Sequence, residues 1–174
     1  MRPPPRKLAT EAELYTAALR ALMRRAHSVY EMRQVLERRA QDGAAVRRVL
    51  QRLKQESLLD DARYARQFVR YRVESRRQGR FRIARDLRTR GVPDRHIEAA
   101  LEDIFAETDE AALVRKRLAR RLKNLRGALD QRKLASLYRS LLRAGFSADV
   151  IRAELRAFTQ QDVSEIAQES PEEE

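Results

Sequence analysis

Two histidines, one pair of adjacent aspartates and 33 arginines are what this 174-residue chain offers for chemistry. A zinc site would need His27 and His96 together with carboxylates from distant segments, because the chain has no cysteine and so no thiolate ligand or disulfide. Asp60-Asp61 could be read as a magnesium pair for a nuclease. Adjacent aspartates at a helix start point in different directions, however, and no third carboxylate stands at a helpful spacing; capping of the helix is the better reading. Neither GxxxxGK[ST] nor GxGxxG occurs, so no nucleotide loop is signalled. The chain therefore reads as a binding protein rather than an enzyme, with no catalytic residue, metal ligand or cofactor site.

The arginines carry the stronger signal. Formal net charge is +12, yet Asp162–Glu174 contains six acids and no base, which leaves +18 on the rest. From Arg63 to Arg90 there are eleven arginines against Glu74 and Asp86 alone, and Arg115–Arg126 holds seven bases and no acid. A GC-rich genome would favour arginine over lysine, but it does not explain that shortage of acids. Soluble helices usually balance bases with acids one turn away. A bare basic face repels itself, and the natural remedy is a polyanion, either nucleic acid or an acidic protein surface. Charge clustering makes Arg70, Arg72, Arg76, Arg77, Arg80, Arg82 and Arg85 one set of contact candidates, with Arg117, Arg120 and Arg121 as a second patch.

An apolar ladder defines the elements that must position these side chains. Relative to Ala40, Gly91 and Gly145, apolar residues recur eight before (Met32, Ile83, Leu137) and four before (Leu36, Leu87, Leu141). They recur again six after (Val46, Ile97, Ile151), ten after (Leu50, Leu101, Leu155) and thirteen after (Leu53, Ile104, Phe158). The zero points lie 51 and 54 residues apart (91−40 and 145−91), the mark of a repeat architecture. Spacings of three and four are helical. Each ladder thus predicts a short helix, a turn and a second short helix, with glycine ending the first by a left-handed residue. A third amphipathic stretch precedes each: Leu14–Arg25, Arg63–Glu74 and Glu110–Leu125.

The expected fold is all-α: three tandem three-helix repeats forming an elongated, curved array of helices set at right angles. Repeat 1 spans 11–59, repeat 2 spans 60–107 and repeat 3 spans 108–158. A disordered basic N-terminus (1–10) and an acidic disordered tail (159–174) flank them. Ser28-Val29-Tyr30-Glu31 fits a capping box, and Pro93 stands near a helix start. Tyr64 and Phe68 are assigned to the core rather than to base stacking. Residues 1–10 lack the apolar stretch of a signal peptide, and no apolar run approaches the ~20 residues of a membrane span. A cytoplasmic monomer is expected.

Leu59-Asp60-Asp61-Ala62-Arg63-Tyr64-Ala65-Arg66-Gln67-Phe68-Val69, followed by Arg82-Ile83-Ala84-Arg85-Asp86-Leu87-Arg88-Thr89-Arg90-Gly91-Val92, resembles the core signature of the RecX family. Ile97-Glu98-Ala99-Ala100-Leu101 matches the family's IxxAL, and the run from Ser28 to Leu36 resembles its SxxELRxxL opening. The likeness covers about residues 14–158 and is most specific over 59–101. Ala40 stands where the family usually has glycine, which suggests a less sharply turned junction. The loop Arg76-Arg77-Gln78-Gly79-Arg80 lacks a common proline, and Asp86 replaces a common glutamate.

This resemblance implies a modulator, mainly an inhibitor, of the recombinase RecA. RecX proteins bind RecA and its filament on single-stranded DNA. They lie in the filament's helical groove, limit its extension and favour disassembly, and so damp ATP hydrolysis, strand exchange and the SOS response. Arginine forks suit such a groove through charge-assisted, often bidentate bonds. Direct DNA binding is an accompanying expectation, and a stand-alone arginine-rich nucleic-acid module is the alternative reading.

Overall fold

A computed structural model of the chain describes residues 7–122 and 130–168, with side chains through Thr159. Among these residues the helices are α1 (Glu11–Arg24), α2 (Val29–Glu37), α3 (Gly43–Gln55), α4 (Asp61–Arg76), α5 (Arg80–Thr89), α6 (Asp94–Ala106), α7 (Glu110–Leu122), α8 (Gln131–Arg143) and α9 (Ala148–Gln168). The only other pairing among the described residues is a bridge between Leu8 and Ala40. Three successive helix triplets are the expected architecture. Twelve of the fifteen ladder residues are buried, and Ile104, Leu155 and Phe158 are half-buried, so the helical register read from the spacing is correct. No described helix is long and apolar enough to cross a membrane.

The junctions follow their residues. Gly91 and Gly145 take left-handed φ values of 67° and 92°, whereas Ala40 does not enter that region. Alanine reaches it only at a steric cost. The first junction instead turns through Arg39 and Ala40, whose N–H groups both donate to the Leu36 carbonyl at 2.9 and 2.8 Å. Leu8 binds across it: its N–H donates to the Arg39 carbonyl at 2.7 Å, and its carbonyl accepts from Gln41 N–H at 3.1 Å. The N-terminus expected to be disordered through residue 10 is therefore tied down from Lys7 onward. At the other end α9 runs past Phe158 to Gln168, ten residues into the expected tail, because no glycine or proline interrupts it before Pro171. The six acids of Asp162–Glu174 have side chains outside the described residues.

By packing, the described residues sort into two compact units: 7–70 with 84–102, and 71–83 with 103–122 and 130–168. The middle triplet has no unit of its own, since α4, α5 and α6 each contribute residues to both.

In the first unit, Leu14, Met32, Leu36, Val49 and Leu53 form a core under α1, α2 and α3. Its helix starts are capped as their residues dictate. Thr10 with Glu13 and Ser28 with Glu31 make capping boxes. Asp60 accepts from the N–H groups of Ala62 and Arg63 at 2.9 and 3.0 Å. Asp61 instead accepts from Val29 N–H at 2.9 Å, at the start of α2. Each aspartate of the pair thus serves a different helix end, as capping requires.

A polar network closes this unit. The Arg90 guanidinium lies 2.6 Å from the Glu31 carboxylate, 3.4 Å from the Tyr64 hydroxyl and 5.1 Å from the centre of the Phe68 ring. Tyr64 is buried, as expected of a core residue, and stacks on the half-buried Phe68 with centroids 6.1 Å apart. Arg25 binds the same Glu31 at 2.9 Å. Burial pushes the Glu31 carboxyl up, but the bonds from Arg25 and Ser28, together with the Arg90 charge, hold it below its ordinary value. His27 is buried beside this network, and its pKa is lowered first by burial and then by the Arg25 charge.

Both shifts mean that the unfolded chain binds more protons, so stability should rise with pH. As pH falls through about 6.5, the ordinary value of histidine, His27 should begin to withdraw stability; Glu31 should follow below about 4.3. Urea midpoints of the full chain from pH 7.5 to 5 should therefore decline, and His27→Gln should flatten that decline. An unchanged slope in the variant would exclude His27 as its source.

Candidate anion-binding site

The second unit holds five of the ten arginine candidates in one place. α4 ends at Arg76, and Arg77 follows in the left-handed conformation at φ 47°. Arg77 N–H donates to the Val73 carbonyl at 3.1 Å, the bond of a left-handed helix ending, and Gln78 N–H reaches further back to the Arg72 carbonyl at 3.2 Å. Glycine normally fills that position; an arginine there is strained by about 1–3 kcal/mol.

A backbone seam fixes the loop that follows. Gly79 N–H donates to the Ala144 carbonyl at 2.9 Å and Phe81 N–H to the Gly145 carbonyl at 3.1 Å. The approach is so close that a Cβ on Gly79 would meet the Gly145 carbonyl oxygen at 2.2 Å. The loop bearing Arg76 and Arg77 is thus pinned to the junction between α8 and α9. Beneath it, Val114, Leu118, Leu137, Leu141, Phe146 and Ile151 anchor α7, α8 and α9.

Arg117, Arg120 and Arg121 stand three and four residues apart on α7 and so share a face. Together with Ser75, Arg76 and Arg77 they line a cavity of about 340 Å³. No carboxylate lines it among the described residues. The Arg117 guanidinium donates from Nη1 to the carbonyls of Arg76 and Arg77 at 3.3 and 3.4 Å, capping the end of α4. Burial, and then the charges of Arg121 and Arg120, hold its pKa below the usual arginine range. Arg121 donates to Ser140 Oγ at 3.1 Å. Such a cavity can receive a compact anion through several charge-assisted bonds.

The remaining candidates fall elsewhere. Arg70 and Arg85 are exposed on the first unit. Arg72 and Arg82 are half-buried in the second unit and already engaged. Arg80 lies over the Phe105 ring at 5.6 Å. The two arginine sets, separate in sequence, therefore meet in one cavity through two of the first seven and all three of the second. Ser75 was not singled out, and nothing in its spacing could have done so. Among the described residues no cluster of histidine and carboxylate side chains could hold a metal ion.

Comparison with known proteins agrees with this architecture. Residues 15–53 match the RecX first three-helix domain and residues 60–101 the RecX second three-helix domain. The chain is 45% identical to regulatory protein RecX of Halorhodospira halophila over 84% of its own length and 88% of that protein. It is 34% identical to regulatory protein RecX of Prosthecochloris aestuarii, over 75% and 83% of the two chains. In fold it is similar to the crystal structure of RecX from Lactobacillus salivarius, with a TM-score of 0.71, 23% identity, and 86% and 97% of the two chains covered. With both domains matched in order and this identity sustained over most of the sequence, the chain belongs to the RecX family of regulatory proteins.

Proposed function

We propose that this protein regulates RecA, mainly as an inhibitor: it binds the RecA filament on single-stranded DNA, limits its extension and favours disassembly, and so modulates recombination and the SOS response. Membership of a family of regulatory proteins supports the reading, and so does the resemblance of residues 59–101 to the family's core signature. The observation that carries it at the level of side chains is the cavity where Arg76, Arg77, Arg117, Arg120 and Arg121 converge without a lining carboxylate. Filament grooves present phosphates and acidic side chains, and such a surface supplies the missing counter-charge. The exposed Arg70 and Arg85 extend the basic surface on the first unit. The protein acts by binding and carries out no chemistry of its own.

RecA ATPase on single-stranded DNA, titrated with this protein, tests the reading. A regulator should inhibit at ratios well below one per RecA protomer. A stand-alone nucleic-acid module would act only as it coats the strand, at stoichiometric amounts. Absence of any effect at every ratio, with DNA binding retained, would overturn the proposal in favour of that module.

A further inference from the structure

We propose that the arginine cavity of the second unit is a receptor for a compact oligophosphate, an anion carrying two or three linked phosphoryl groups. Five arginines and Ser75 line about 340 Å³ with no lining carboxylate among the described residues. That volume falls within the ~300–1,000 Å³ of small-ligand sites. Packing five like charges around one space is unfavourable, and a ligand relieves it in proportion to the charge that it brings inside. A nucleic-acid strand brings one charge per phosphodiester, and a sugar separates each phosphate from the next, so few of its charges enter one cavity. An oligophosphate concentrates three or four charges within adjoining tetrahedra, which matches the local density of guanidinium.

The geometry supports a prepared site. Arg117 is held by the carbonyls of Arg76 and Arg77 through Nη1 alone, so its fork is oriented while its other donors remain for a ligand. That bond also covers the exposed carbonyls at the end of α4, whose negative pole would otherwise oppose an anion. Arg121 is steadied by Ser140. Arg77, a lining residue, stands in a backbone conformation where glycine would be less strained. Helix capping accounts for Arg117; it does not account for the four arginines gathered beside it.

Calorimetric titration of the full chain with inorganic tripolyphosphate tests this, with inorganic phosphate and sulfate at matched ionic strength as references. Tripolyphosphate should bind at one per chain and at least tenfold more tightly than either reference. Arg120→Gln with Arg121→Gln should weaken it at least ~tenfold, each lost charge-assisted bond being worth several-fold. Arg120→Gln alone, at an exposed position, should weaken it by about fivefold and guards against misfolding of the double variant. Arg70→Gln with Arg85→Gln, outside the cavity, should leave it unchanged. Equal weakening by both double variants would mean diffuse charge attraction and overturn the proposal, as would affinity no better than sulfate. A further titration uses oligothymidylate in place of tripolyphosphate. Cavity-dependent binding of the strand without binding of tripolyphosphate would assign the site to strand phosphates and overturn it too. RecA is absent from these assays, so their failure leaves the regulatory reading untouched, and failure of the ATPase test leaves the cavity assignment untouched.

Discussion

Leu87→Ala should lower the stability of the protein by about 2–5 kcal/mol, the usual cost of truncating a buried leucine. Leu87 is fully buried. Its carbonyl also accepts from Arg90 N–H at 3.0 Å and Val92 N–H at 3.2 Å, so the side chain sits where α5 is turned into the Gly91 junction. Loss of its methyl groups should leave a cavity that the closed backbone around it cannot collapse to fill. Urea unfolding of the variant should show a lower midpoint at unchanged slope, the mark of altered stability rather than altered compactness. A loss below about 1 kcal/mol would contradict the burial of the ladder in the middle triplet.

Gly145→Ala should be comparably severe, on the order of 3 kcal/mol, for two separable reasons. At φ 92° an L-residue is strained by about 1–3 kcal/mol. The new Cβ would also lie 2.2 Å from the Arg82 amide nitrogen, and crowding of that kind costs a further ~1–3 kcal/mol. The damage should be regional. Amide hydrogen exchange at Gly79 and Phe81, whose N–H groups bind the Ala144 and Gly145 carbonyls, should accelerate strongly. Exchange at Leu53 in the first unit should change far less. Uniform acceleration in both places would mean that the seam is not a local clasp.

Why the ladder was readable and the cavity was not follows from what each requires. A ladder residue such as Ile83 or Ile97 reports its own burial through spacing, because helical period and solvent exclusion are local constraints on residue type. Ser28 and Asp60 announce caps for the same reason: their partners lie two or three residues away. Asp61 looks like a second cap of α4, yet its partner is Val29, 32 residues earlier, and no local pattern encodes that bond. The meeting of Arg76 and Arg77 with Arg117, Arg120 and Arg121 depends on a seam made by backbone groups of Gly79, Phe81, Ala144 and Gly145. Hydrogen bonds between main chains leave no trace in side-chain identity beyond a glycine. Likewise, Ala40 in place of glycine suggests a less sharply turned first junction, and its backbone does stay out of the left-handed region, but nothing at that position names Leu8 as the segment that supports it.

The bonds at the start of α2 also set a timetable for synthesis. Val29 waits for the carboxylate of Asp61, and the Ser28 hydroxyl waits for the Arg90 carbonyl, which it reaches at 2.6 Å. At the usual elongation rate of about 5–20 residues per second, the 62 residues from Ser28 to Arg90 take roughly 3–12 s to emerge. The first triplet therefore leaves the ribosome with its second helix only partly tethered. It acquires its final partners late, when the turn before α6 appears. A chain halted between those points would carry the local Ser28–Glu31 cap of α2 but neither of its distant partners.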